Sequence, residues 1–87
     1  MFKPDDHEDK MQLLGGLIGE ELGVEFIDCR YVGENLAFKG SFRYKGDYIE
    51  ATLATRKELE DNMPGKEIEN TKEIVRKWKL QVNKNDG

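Results

Sequence analysis

The sequence predicts an α+β domain in which N-terminal and C-terminal helices pack on one face of a three-stranded antiparallel β-meander, in the order α-β-β-β-α-α. Three observations carry this. Apolar residues from Met11 to Leu22 recur at three- and four-residue steps, the spacing of one helix face. From Val24 the period changes to two and holds for about thirty residues. After Thr55 the helical spacing returns.

The first helix has a start signal in Asp5 or Asp6 as N-cap, with Pro4 before it and Glu8 and Asp9 where the helix dipole favours negative charge. Met11, Leu14, Ile18 and Leu22 form its apolar stripe, and Leu13 and Leu17 widen it. Gly15, Gly19 and Gly23 fall four apart, and each glycine inside a helix costs roughly 0.5–1 kcal/mol against alanine. Close packing of helix on sheet accounts for such a row, with Gly23 ending the helix in a left-handed cap. A phosphate loop over Gly15 to Gly19 fails: it has no lysine, no strand precedes it, and Glu20 and Glu21 follow.

Val24 to Val32, Asn35 to Lys45 and Tyr48 to Ala54 are three strands rich in β-branched and aromatic residues. Gly33-Glu34 and Gly46-Asp47 separate them, each suited to a two-residue type II′ turn. Those turns set Tyr44 opposite Ile49, Phe42 opposite Ala51 and Arg43 opposite Glu50. They also set Tyr31 opposite Leu36, Cys29 opposite Phe38 and Asp28 opposite Lys39. Because a one-residue slip reverses every side chain, the agreement of both hairpins on two faces supports the meander. One face carries Ile27, Cys29, Tyr31, Leu36, Phe38, Phe42, Tyr44, Ile49, Ala51 and Leu53 and needs a cover. The other carries Phe26, Asp28, Arg30, Ala37, Lys39, Ser41, Arg43, Lys45, Tyr48, Glu50 and Thr52 and meets water.

Thr55 with Glu58 forms a capping box for a short helix through Leu59, which Asn62-Met63-Pro64-Gly65 breaks. Ile68, Val75, Trp78 and Val82, with Ile74 beside them, share one face of a final helix from about Lys66 to Lys79. A competing assignment makes Trp78, Leu80 and Val82 alternate residues of a fourth strand. Residues 83–87 are expected as a frayed polar tail.

Eighty-seven residues make one domain spanning 1–87. A chain of this size leaves no room for a deep internal pocket. The net charge is −4 and unevenly spread: residues 1–28 carry −6, residues 29–57 carry +3, and Arg76, Lys77, Lys79 and Lys84 form a basic stretch near the end. The single cysteine, Cys29, cannot close an intramolecular disulfide, which favours a reducing cytoplasm. No signal-peptide pattern or membrane-spanning run is present.

Catalysis is disfavoured for want of parts. The only histidine, His7, is far in sequence from Cys29, so no Ser-His-Asp or Cys-His set assembles locally. The Asp5-Asp6-His7-Glu8-Asp9 cluster is accounted for by helix capping and the dipole, so neither a metal nor a cofactor is expected. Two surfaces remain. Arg30, Lys39, Arg43 and Lys45, interleaved with Phe26 and Tyr48, put basic groups and rings on the open sheet face. Glu20, Glu21 and Glu25 mark an acidic pole.

The helix-strand-strand-strand-helix order resembles that of double-stranded-RNA-binding domains. The resemblance implies a basic cluster at the start of the last helix; here Arg56 and Lys57 stand at a helix start, but Glu58, Glu60 and Asp61 follow.

The function expected is that of a small, non-enzymatic cytoplasmic binding protein, a regulator or inhibitor that works by protein–protein docking. The alternative is nucleic-acid binding on the basic sheet face. Self-association through the glycine-faced helix or a sheet edge is a further expectation.

Overall fold

The computed structural model describes residues 2–61 and 65–86. After a 3-10 turn at Pro4–His7 come helix α1 (Glu8–Leu22), strands β1 (Glu25–Val32), β2 (Ala37–Tyr44) and β3 (Asp47–Thr55), and helices α2 (Arg56–Glu60) and α3 (Lys66–Asp86). The strands form one antiparallel sheet in the order β1-β2-β3. This is the predicted α+β meander, with α1 and α3 laid on one face.

The N-cap of helix α1 falls one or two residues after the expected Asp5 or Asp6. Asp5 and Asp6 lie in the 3-10 turn, and His7 stands at the N-cap with no side-chain hydrogen bond. Phe2 anchors this segment: its ring stacks on His7 at 5.2 Å and receives the Arg56 guanidinium at 5.1 Å. Gly23 ends the helix in the left-handed conformation, φ 71°. The glycine row packs on the sheet as expected. A Cβ on Gly19 would come within 2.8 Å of the Val24 carbonyl oxygen, and one on Gly15 would overlap the Phe26 ring. That face is therefore buried against β1 and is closed to self-association.

Both hairpins differ from the predicted register by two residues. The second turns on Lys45-Gly46, both at positive φ (51° and 85°), so it is a primed turn of type I′ in which Tyr44 faces Asp47. Phe42 then pairs with Ile49, Gly40 with Ala51, and Arg43 with Tyr48, in place of the predicted Phe42–Ala51 and Arg43–Glu50 pairs. The first connection is a four-residue loop from Gly33 to Leu36, with Leu36 at φ 49°, and Val32 faces Ala37. Tyr31 pairs with Phe38, Cys29 with Gly40, and Asp28 with Ser41. A shift of two preserves side-chain parity, so most residues keep their predicted face.

Leu36, Phe26, Ile27, Asp28 and Ala37 do not: Ala37, expected to meet water, is 3% exposed, and Asp28 turns to Gln12 of α1. Leu36 is exposed in the loop. A bulge between Phe26 and Asp28 sets Phe26 opposite Phe42, one residue out of step with the rest of β1. Phe26 therefore turns inward, 5.5 Å from the Phe42 ring, while Ile27 is left 46% exposed. A second irregularity, between Phe38 and Lys39, leaves Leu53 and Ala54 both buried, and Leu53 fills the space over Gly40.

Met11, Ile18, Cys29, Phe38, Phe42, Leu53 and Val75 form the core between helices and sheet. The capping box at Thr55 forms as predicted, with the Glu58 N–H donating to Thr55 Oγ1 at 3.2 Å. The break at 62–64 lies outside the described residues. Helix α3 continues through the predicted tail to Asp86, so Trp78, Leu80 and Val82 are helical and, among the described residues, no fourth strand forms. The reason is seven-residue spacing: Val75 and Val82 are both buried, whereas Leu80, which a strand would place with Trp78 and Val82, is 58% exposed. Along its length α3 lies against the edge strand β3, where Thr71 Oγ1 donates to the Thr52 carbonyl. Its contacts with α1 run in order: Ile68 near Leu14 and Leu17, Lys72 to Glu21 at 2.9 Å, and Lys79 Nζ donating to the Leu22 carbonyl at 2.9 Å. The two helices are therefore parallel.

Candidate functional site

With α1 and α3 on one face, the opposite face of the sheet is uncovered, and its side chains are those whose backbone positions point away from Phe38 and Phe42. Pairing arranges them in rows across the three strands: Glu25, Arg43 and Tyr48; then Ser41 and Glu50, whose row Asp28 joins by backbone pairing only; then Arg30, Lys39 and Thr52. Ile27 stands in the bulge between the first two rows. Tyr48 is 64% exposed.

The charges on this face are paired in place. Arg43 Nε donates to Glu25 Oε2 at 2.7 Å, and a second guanidinium nitrogen meets the same carboxylate oxygen. Tyr48 and Glu25 together favour the charged guanidinium, raising the Arg43 pKa, with Tyr48 the larger influence. Arg30 reaches diagonally over Ser41 to Glu50 at 3.7 Å. These pairs are exposed to solvent, so each contributes little to stability. Their consequence is electrostatic: three bases (Arg30, Lys39, Arg43) share the face with two acids (Glu25, Glu50).

Asp28 leaves the face altogether. The bulge brings it to the sheet edge beside α1, where it accepts from Gln12 Nε2 at 2.6 Å and from the Cys29 N–H at 2.8 Å. Those two donors, Gln12 first, hold its carboxyl below the usual carboxylate range. Cys29 beneath it is 5% exposed, and burial, with the Asp28 and Glu8 charges, pushes its thiol up to about 11. A thiol so protonated is no nucleophile at neutral pH.

The predicted sheet-face set is thus brought together only in part. Arg30, Lys39, Arg43 and Tyr48 share the face. Lys45 sits in the hairpin turn, 5.5 Å from the Tyr44 ring centroid. Phe26 is inside. The acidic pole does not assemble: Glu25 belongs to the sheet face, Glu21 is bound to Lys72, and Glu20 stands exposed on the outer side of α1. Two participants escaped sequence reasoning. Glu25 lies next to the helix acids in sequence but pairs with Arg43 on the sheet, and strict alternation along β1 points Ile27 inward until the bulge reverses it.

Among the described residues no group of His, Cys, Asp and Glu is placed to hold a metal ion, and no helix is long and apolar enough to cross a membrane. Comparison with protein-family models, with curated proteins and with solved structures finds no match.

Proposed function

We propose that this chain is a non-enzymatic docking protein whose outer sheet face, centred on Tyr48, Ile27 and Arg43, seats on another protein. In this reading it acts as a regulator or inhibitor by occupying the partner's surface, in a reducing cytoplasm where the lone Cys29 stays a buried thiol. The observation that carries the proposal is the pairing of Arg43 with Glu25 and of Arg30 with Glu50 around an exposed tyrosine and isoleucine. A polyphosphate backbone is held by unneutralised cations in number. A nearly neutral mosaic of Tyr, Arg and an aliphatic residue has the composition of a protein interface centre. The partner that fits offers an apolar spot for Tyr48 and Ile27, with carbonyls and a few carboxylates for the arginine and lysine arms.

A photo-crosslinking side chain at position 48, with the loop position 34 as control, tests this in a native lysate with and without nuclease. Supporting it is a protein adduct specific to position 48 that resists nuclease and falls about tenfold with Ile27→Asp. Equal adducts at both positions would refute the assignment of the face. Adducts lost on nuclease treatment, together with salt-sensitive retention abolished by charge reversal at Lys39, Arg43 and Lys45, would establish nucleic-acid binding instead.

A further inference from the structure

The outer side of α1 holds apolar surface that its own chain leaves bare. Leu13 and Leu17 were expected to widen the buried stripe, yet they are 67% and 53% exposed. With Lys10, Leu14 and Ile68 they line a shallow apolar groove of about 270 Å³ along the α1–α3 boundary. Lys10, Leu13, Leu17 and Glu20 follow one another at steps of three, four and three, the spacing of a helix-pairing seam. Lys10 and Glu20, at its two ends, make no ion pair among the described residues, in contrast to Glu21 beside them, which is bound to Lys72.

We infer that α1 pairs with α1 of a second copy of this chain, antiparallel, along that seam. The charge pattern decides both occupant and direction. In an antiparallel pair centred near Gly15, Lys10 faces Glu20 of the second copy and Glu20 faces its Lys10, while Leu13 and Leu17 meet Leu17 and Leu13 between them. A parallel pair opposes lysine to lysine and glutamate to glutamate. The seam is complementary to itself only when inverted, which is the property of a two-fold interface. It is about 15 Å long and carries two leucines per copy, less than a standard-sized interface, so the dimer is weak and concentration-dependent. Pairing through the helical layers leaves both outer sheet faces free and directed apart. The inference uses none of the sheet-face residues and stands or falls independently of the docking reading.

Sedimentation of the intact chain across a concentration series tests it, with circular dichroism confirming that each variant folds. Lys10→Glu and Glu20→Lys, both fully surface changes, each place like charges at both ends of the seam and should weaken self-association at least about tenfold. The double exchange K10E/E20K restores opposite charges and should return it to within about threefold of the unmodified chain. Mixing the two single variants should give a heterodimer, because every end contact then joins opposite charges. Leu13→Gln should weaken it as strongly as either reversal. A chain that stays monomeric to millimolar concentration overturns the inference. So does a dimer indifferent to the two reversals, or a strip that binds a basic amphipathic peptide while the chain alone remains monomeric.

Discussion

Gly19→Ala, set against Gly16→Ala on the same helix, separates the contact between α1 and β1 from helix propensity. Each exchange gains up to about 1 kcal/mol from replacing a helical glycine. At Gly19 the new methyl would lie 2.8 Å from the Val24 carbonyl oxygen and 3.2 Å from the Phe26 nitrogen. Both are backbone atoms of the segment entering β1, so relief requires lifting the helix from the sheet. Overpacking of this kind costs about 1–3 kcal/mol, and the upper part of that range applies when backbone must move. The net loss at Gly19 is about 1–2 kcal/mol, which for a domain this size lowers Tm by about 5–15 °C. At Gly16 no atom beyond its own stretch of helix lies within 4 Å of the added methyl, and the gain of about 0.5–1 kcal/mol should appear undiminished. Urea and thermal unfolding followed by far-UV circular dichroism, at protein concentrations low enough to keep the chain monomeric, measures both. A Gly19→Ala chain as stable as the unmodified one, or a Gly16→Ala chain less stable, refutes the packing described.

Three further outcomes follow from the core, the sheet edge and the buried thiol. Phe42→Ala empties the centre of the sheet's inner face, where Phe42 is fully buried against Phe26, and should cost about 3–5 kcal/mol, enough to lose the cooperative unfolding transition. Thr71→Val leaves the Thr52 carbonyl without the donor that α3 supplies and should cost about 1–2 kcal/mol by urea titration, whereas Thr71→Ser should recover most of it. Cys29 holds its proton more tightly folded than unfolded, so stability is intact below about pH 9 and should fall as pH rises toward 11; Cys29→Ala should flatten that slope in pH-dependent unfolding. At neutral pH the native thiol should resist disulfide reagents until the chain is unfolded.

The sequence carried the element order and most of the sheet's two faces, because alternation survives a two-residue error in turn placement. Glycine at position 46 is acceptable to turns centred on either side of it, and only the strand pairing shows that Lys45 takes the other positive-φ site. The bulge was hidden for a different reason. Glu25-Phe26-Ile27-Asp28 presents two large apolar residues in succession, and either can be the inward one. Which one is inward depends on the bare glycines of α1, since Gly15 makes the space that the Phe26 ring occupies. Leu13 and Leu17 were misplaced because an apolar stripe shows its width but not how much of that width a neighbouring helix covers. Ile68 of α3 lies along the same groove, yet Leu13 and Leu17 stay 67% and 53% exposed. The site's charges were visible as a list and its ion pairs were not, because pairing depended on the register.

The outward face exists in this form only if the pleat inverts at Ile27, and nuclear Overhauser contacts from the Phe26 ring test that directly. Contacts from Phe26 to the Phe42 ring and to Gly15, with Ile27 showing none to either, are the predicted result. Contacts from Ile27 to Phe42, with Phe26 instead beside Arg43 and Tyr48, would contradict it and dissolve the docking face.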